Sequence, residues 1–324
     1  MRFYGIDSRG AHARVAEAVE RTPIVRIPCH DPRIELLAKL ENRQVQGAFK
    51  ARGAWNNIAQ LTDDERKRGV IATSSGNHGR ALAWAAARAG VPATIVMPKD
   101  AYPNKIAACR ELGAEVVLGE TREEAEAICR ERMSVGAVLI HPYDAERTVE
   151  GAGTVGVEIA QDCGGADVVV FPVGGGGLIA GSSLALRLEL GGRPRILGAE
   201  PLGAPSMSLG LAADEGVVLD EITTEVQGLC PLSAGELNVA ICLETLDGVG
   251  LLPDDAILAA QRRLVQLGEV VEPAGAASTA LVDAGLIPEE WLAQKTEEDP
   301  LRVVVVVSGG NPAPDQLAAL RSAK

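Results

Sequence analysis

Aromatic side chains are scarce: three Phe, three Tyr and three Trp make up 3% of the 324 residues. The interior must be filled instead by Ala, Val, Leu and Ile, and with 36 glycines that composition suits an α/β enzyme. Histidine occurs four times. Neither HExxH nor HxxxH is present, which removes the common zinc-hydrolase patterns. The six cysteines (Cys29, Cys109, Cys129, Cys163, Cys230 and Cys242) never fall at CxxC spacing, so a zinc or redox motif is not expected. They are expected to pack as small hydrophobes in a reducing, cytoplasmic setting. Positive charge is in deficit, with 31 Lys and Arg against 44 Asp and Glu and a net charge of -13. Non-specific nucleic-acid binding needs the opposite sign. No apolar run approaches the roughly 20 residues of a membrane helix, and the opening MRFYGIDSRGAHAR lacks the apolar stretch of a signal peptide. GxSxG and GK[ST] are absent, so neither a serine-hydrolase elbow nor a P-loop is expected.

What the sequence does contain is alternation. Residues 34–41, 69–73, 91–97, 114–118 and 136–140 carry strand patterns, and 80–88, 104–112 and 122–133 carry helical ones. A second series follows, with strands at 167–173, 195–199 and 302–307 and helices at 148–161, 178–190, 254–267 and 274–285. Such alternation implies mainly parallel sheets covered by helices on both faces. No Pro/Gly/Ser linker separates the two series. They are expected to be interlocked lobes, with the N-terminal segment belonging to the second.

Four segments place small or polar residues where a buried strand ends, the usual ligand edge of an open parallel sheet. In PVGGGGLIAG, the glycines Gly174, Gly175, Gly176 and Gly177 leave backbone N–H groups unshielded just before a helix, a geometry suited to an anion. A dinucleotide fingerprint fails there because position 179 is Ile. TSSGNHG offers Ser74, Ser75, Asn77 and His78 to a carboxylate, although one of them could simply cap the following helix. QGAFKARGA sets Lys50 beside Phe49 among small residues. Taken alone it is an ordinary surface lysine; desolvated, it is a nucleophilic amine. VVSGGN puts Ser308 at the end of the most apolar strand, facing a pocket or starting a turn.

In this order, AFKARGA, SSGNHG, PVGGGGLIAG, VEPAGA (Val271 to Ala276) and SGGN resemble the fold-type II pyridoxal-phosphate enzymes. The match is with their threonine/serine dehydratase and serine racemase branch. It runs from RTP (Arg21 to Pro23) through KLEN (Lys39 to Asn42) to Asn311. The resemblance implies a tryptophan synthase β-like fold. A large cofactor-binding domain would comprise 1–52 and 150–324, and a small substrate-gating domain 53–149. It implies that Lys50 holds the cofactor as a Schiff base and moves the α-proton, and that Phe49 packs on the ring. Asn77 would bond the 3-hydroxyl, Gly174 to Gly177 would hold the phosphate, and Ser308 would face the pyridine nitrogen. Ser74, Ser75 and His78 would grip the substrate carboxylate, with Ser75 also the acid/base of racemizing relatives. Arg132 lies where some relatives place a carboxylate-binding arginine. The cofactor supplies the electron sink and the protein supplies position and electrostatics. A neutral serine at the ring nitrogen makes a weaker sink and favours loss of a β-group. Water and then ammonia would leave a small 3-hydroxy amino acid, giving a 2-oxo acid. A homodimer is the family expectation.

Three departures stand out. Relatives build a divalent-cation site on the Glu of AEP and an acid six residues on; here Glu200 is present but position 206 is Ser. A weak cation site or none is therefore expected, with Glu200 otherwise a solvated strand end. Where relatives read ADG, this chain has Val226 to Asn238 (VQGLCPLSAGELN), with Gln227 in place of the acid and Cys230 and Pro231 near the substrate edge. Cys230 is expected to pack rather than react. The chain also ends soon after SGGN, like the short, unregulated forms. The alternatives are a serine-type racemase, a hydroxyaspartate dehydratase and a pyridoxal-phosphate-binding protein without turnover. β-Replacement is disfavoured because those relatives carry TSGNT where this chain has SSGNHG.

Overall fold

In the computed structural model, which describes Phe3 and residues 5–322, the strands in chain order are β1 (Ile24–Arg26), β2 (Ile34–Lys39), β3 (Val70–Thr73), β4 (Ala93–Pro98), β5 (Glu115–Gly119), β6 (Val138–Leu139), β7 (Val168–Pro172), β8 (Arg195–Pro201), β9 (Gly248–Leu252) and β10 (Leu301–Val306). They form one sheet ordered β1-β2-β10-β7-β8-β9 and another ordered β5-β4-β3-β6. Among the strands of the described residues, only β1 pairs antiparallel. The fold is α/β, with parallel sheets and helices on both faces. No helix of the described residues is long and apolar enough to cross a membrane.

The large sheet shows why its strands read as unbroken Val runs. Val168 and Val170 of β7 face one hydrophobic cluster, with helices Asp254–Gln266 and Pro273–Asp283. Val169 and Phe171 face the other, with helices Glu146–Asp162 and Gly177–Leu190. Val303 and Val305 of β10 divide from Val304 and Val306 in the same way. A strand covered on both sides needs apolar residues at every position. The N-terminal segment enters this sheet through β1 and β2.

Parallel registry collects the motif loops. Val306 of β10 lies opposite Lys39 of β2, and Val305 lies opposite Val170 of β7. The loops after β2, β10 and β7, carrying Lys50, Ser308 and the tetraglycine, therefore leave one edge of the sheet. Strand order reverses between β10 and β7, the switch point where open α/β sheets bind ligands. In the small sheet, the same edge releases Ser74 to His78 after β3 and His141 to Tyr143 after β6.

Strand and helix positions agree with the sequence pattern, with ends moved by one to three residues. Helix Asn77–Ala89 begins three residues before the expected start at 80. The 34–41 strand stops at Lys39 because Glu41–Arg43 tighten into a 3-10 turn. Helices Ser8–Val15, Lys50–Ala59, Asp63–Arg68, Ser206–Ala213, Glu236–Thr245, Glu289–Leu292 and Pro314–Ser322, and strands β1 and β9, were not expected.

Candidate active site

Helix Lys50–Ala59 is held by charges buried on its inner face. Arg52 forks onto Glu41 through Nε and Nη2, both at 2.7 Å, and onto Glu158 at 2.7 and 2.9 Å. Lys39 Nζ meets Glu158 at 2.5 Å and the Thr22 carbonyl at 2.7 Å. All four charged residues are buried, and two cations balance two carboxylates. Gly53 and Gly151 let helix Glu146–Asp162 press against this helix, since a Cβ on Gly151 would stand 2.6 Å from Gly53 Cα. The first turn, and Lys50 with it, is thereby fixed to the ligand edge.

Lys50 is half-buried. Its Nζ donates to the Pro142 carbonyl at 2.6 Å and stands 5.0 Å from the Phe49 ring centroid. Burial pulls its pKa down to about 8, because desolvation penalises the charged form. Phe49 N–H donates to the Ser308 carbonyl at 3.1 Å, so the lysine and the SGGN turn are neighbours. Ser308 is buried, and its hydroxyl has no hydrogen-bond partner among the described residues.

The tetraglycine turn is open on its N–H side. No hydrogen bond is donated by the Gly174 to Gly177 amides among the described residues, and Gly176 adopts φ 89°, a conformation that favours glycine. The turn's other face is fully used. Gly235 N–H and Asn238 Nδ2 both donate to the Gly175 carbonyl, at 3.1 and 2.7 Å. A Cβ on Gly175 would come within 2.3 Å of the Tyr143 ring, and one on Gly176 within 2.5 Å of Met207 Cε. Helix Gly177–Leu190 starts here with no side-chain cap, leaving its positive end to the cradle.

On the facing lobe, Asn77 Nδ2 donates to Glu272 Oε1 at 2.5 Å, and its Oδ1 accepts from Asn311 Nδ2 at 2.8 Å. Ser74 Oγ accepts from Gly76 and Gly79 N–H at 3.3 and 3.1 Å. It caps the helix with its lone pairs and keeps its own O–H to donate. Ser75 has an uncommitted hydroxyl among the described residues. Lys105 Nζ reaches across to Gln227 Oε1 at 3.0 Å.

Three expectations need correction. His78 is buried, with Nε2 bonded to the Ile140 carbonyl at 2.8 Å. Burial, with Lys50 nearby, pushes its pKa down to about 3, so it is neutral and offers no cationic grip to a carboxylate. Arg132 is exposed, pairs with Glu115 at 3.3 Å and borders a shallow hollow with Val70, Pro92 and Thr94. Val70 starts β3, whose far end leads to Ser74, and Pro92 and Thr94 lie at the start of the parallel neighbour β4, so Arg132 lies at the opposite end of the sheet from Ser74. Glu200 is wholly buried rather than solvated. Its carboxylate accepts from Met207 N–H at 2.7 Å and from Ser208 N–H and Oγ at 3.0 and 2.8 Å, capping helix Ser206–Ala213. Burial raises its pKa to about 7.

The sequence had given no role to Tyr143, Glu272, Asn311 or Arg122. Tyr143 sits on the cradle, and the charge of Arg122 acts on both Tyr143 and Cys230. A tyrosine four residues past a strand end, in so aromatic-poor a chain, was the available signal for the first.

These features fit pyridoxal phosphate: unclaimed N–H donors for its phosphate, a half-buried amine of lowered pKa for its aldehyde and a buried neutral hydroxyl nearby. Residues 15–309 match the model of the family described as pyridoxal-phosphate dependent enzyme. The chain is 38% identical over 280 residues to the L-threonine ammonia-lyase of Thermotoga maritima, covering 86% of this chain and 67% of that one. It is 37% identical over 306 residues to the phenylserine dehydratase of Ralstonia pickettii, covering 93% and 91%. The structure of maize serine racemase superposes with a TM-score of 0.88 at 33% identity, over 98% of this chain and 97% of that one. With pyridoxal phosphate as its cofactor, the chain belongs to the fold-type II pyridoxal-phosphate-dependent enzymes, in the branch of the threonine and serine dehydratases and serine racemases.

Proposed function

We propose that this chain is an ammonia-lyase that removes water and then ammonia from a small threonine- or serine-like 3-hydroxy amino acid, giving a 2-oxo acid. The carrying observation is Lys50, an amine with a pKa of about 8 that follows Phe49, bonded to the Ser308 carbonyl, and that donates to Pro142, next to the Tyr143 packed on the glycine turn. At neutral pH roughly a tenth of such amines are unprotonated, far more than for a free lysine near ~10.4. That fraction can attack an aldehyde and later take a proton from a substrate α-carbon. The bound cofactor supplies the electron sink. Gly174 to Gly177 hold its phosphate through backbone N–H groups, and Phe49 and Asn77 position its ring. Ser308 meets the ring nitrogen as a neutral group, which weakens the sink and favours departure of the β-hydroxyl. Ser74, through its spare O–H, and Ser75 bind the substrate carboxylate. Residues 1–52 and 150–324 carry the cofactor, and 53–149 gate the substrate. All six cysteines are free, in keeping with a reducing cytoplasmic location. A homodimer, which the resemblance implies, completes the proposal and is read by sedimentation.

Racemization is the second reading, favoured by the uncommitted Ser75 hydroxyl. A panel of threonine, serine, phenylserine and 3-hydroxyaspartate is assayed for 2-oxo acid, with L-serine also incubated in deuterated water. Elimination is expected throughout, and Lys50→Ala should abolish both the yellow colour and turnover. Deuterated D-serine without pyruvate would replace the lyase by a racemase. A protein that stays colourless with added pyridoxal phosphate would end both readings.

A further inference from the structure

An asparagine amide has two ends of nearly equal shape, and only its partners decide which end faces a ligand. The partners of Asn77 leave no freedom. Arg80 Nη1 donates to Asn311 Oδ1 at 2.8 Å, and a guanidinium can only donate. Asn311 Nδ2 donates to the Gln46 carbonyl at 2.8 Å, and a carbonyl can only accept. Asn311 is thus oriented from both sides. Its Nδ2 also donates to Asn77 Oδ1 at 2.8 Å, which turns the Asn77 oxygen away from the remaining space. Glu272 Oε1 takes one Asn77 Nδ2 hydrogen at 2.5 Å. One N–H of Asn77 is left unclaimed among the described residues.

The chain of bonds also ties together the elements around Lys50. Arg80 Nε donates to Gln46 Oε1 at 2.9 Å, four residues before the lysine, at a backbone with φ 60°. Glu272 packs on the SGGN turn, where a Cβ on Gly309 would lie 2.2 Å from its Oε1. Glu272 is half-buried with no salt bridge among the described residues, although the charge of Lys105 reaches it.

We propose that Glu272, with Asn311 and Arg80, is a positioning set that locks the Asn77 amide so that its N–H, not its oxygen, meets the 3-oxygen of bound pyridoxal phosphate. The proposal rests on the placement of the cofactor at Lys50 given above. An N–H donor stabilises a 3-oxygen that has given up its proton. An amide oxygen in the same place repels that charge and drives the proton back, which removes the yellow colour.

The test uses holoenzyme and reads the visible spectrum and the dissociation of pyridoxal phosphate on dialysis, with circular dichroism of the cofactor-free chain as the folding control. Glu272→Ala and Arg80→Ala should each lose part of the yellow band and release the cofactor about tenfold more readily, the scale of one hydrogen bond involving a charged group. Glu272→Gln should keep the wild-type band, because its amide oxygen still accepts from Asn77. The Glu272→Ala/Arg80→Ala pair should cost less than the sum of the two, since both act on one amide. Asn77→Asp, which keeps the shape but replaces the donor, should lose the band even if an alanine variant misfolds. The proposal is overturned if Glu272→Ala keeps the wild-type spectrum and affinity, if Glu272→Gln loses as much as Glu272→Ala, or if Asn77→Asp stays fully yellow. A wild-type chain with no borohydride-reducible imine at Lys50 removes the reading beneath it, and this proposal with it.

Discussion

Replacing Arg52 by Met tests whether buried charges hold the lysine helix in place. Met fills a similar volume but cancels both carboxylate forks of the guanidinium, four bonds of 2.7 to 2.9 Å. Glu158 keeps Lys39, whereas Glu41 keeps only the Thr22 hydroxyl at 2.5 Å. Two buried carboxylates are left to share the single charge of Lys39, which is bonded to Glu158 and reaches Glu41 only through space. Breaking a buried pair in this way costs about 3–5 kcal/mol, a large share of a total stability of about 5–15 kcal/mol. Burial alone opposes ionisation of Glu41, but in the native chain the adjacent Arg52 outweighs it and holds the pKa below its ordinary value. That stabilisation is present above the unfolded carboxyl pKa of ~4.3 and is lost as pH falls through the depressed folded value. Without Arg52, burial raises the folded pKa above the unfolded one, and the variant becomes more stable as pH falls toward ~4.3. The gap between native and variant proteins should therefore be widest at neutral pH and narrow on acidification. Urea unfolding of the cofactor-free proteins, followed by circular dichroism, measures it without ligand linkage. Adding Glu41→Gln should recover about 2 kcal/mol or more by removing the orphaned charge. A gap that is constant with pH, or a double variant no more stable than Arg52→Met, would refute the assignment.

Three further outcomes are expected. Imine formation between the cofactor-free chain and pyridoxal phosphate should speed up about tenfold per pH unit up to a pH of about 8 and level off above it, since only the unprotonated Lys50 attacks; stopped-flow absorbance would show a midpoint near ~10.4 if burial were not acting. Gly175→Ala drives a methyl to 2.3 Å from the Tyr143 ring and should weaken pyridoxal phosphate by about tenfold, the scale of 1–3 kcal/mol of overpacking. Tyr143→Ala in that background should restore part of the affinity in a fluorescence titration, and an unaffected Gly175→Ala would show that the cradle tolerates side chains. Arg132→Ala, at the opposite end of the small sheet, should leave kcat/KM within about twofold; a larger loss in a steady-state 2-oxo acid assay would return Arg132 to the site.

β7 and β10 were legible from their runs of Val, whereas β1 and β9 were not, and the gathering of Lys50, the tetraglycine and Ser308 followed from strands ending at one edge. Helix Lys50–Ala59 was not read from KARGAWNNIA, because its inner face is polar: Arg52, Asn56 and Asn57 are all buried, and hydrophobic periodicity does not register buried charge. His78 and Arg132 failed for different reasons. A histidine in a polar turn looks like a donor, but only the fold shows its ring committed to the Ile140 carbonyl. For Arg132, a helix of 13 residues spans about 20 Å, so being on the right helix did not put it at the right end. Arg122 begins that same helix, at the end facing the site.

Several bonds between residues 53–149 and the rest of the chain lie near Lys50: Lys50 to Pro142, Asn77 to Glu272 and Asn311, and Lys105 to Gln227. The glycine turn presents backbone N–H groups and no side chains, and a Cβ at Gly175 or Gly177 would press on Tyr143 and one at Gly176 on Met207. The wall over it is built from side chains. A Cβ on Gly174 would lie 3.1 Å from Leu229 Cα and 3.5 Å from Pro231 Cδ, which places the 227–231 segment directly above the cradle, and Tyr143 closes its side. Tyr143 and residues 227–231 therefore line the space beside the glycine turn, and the 227–231 segment is where this chain departs from the dehydratase pattern.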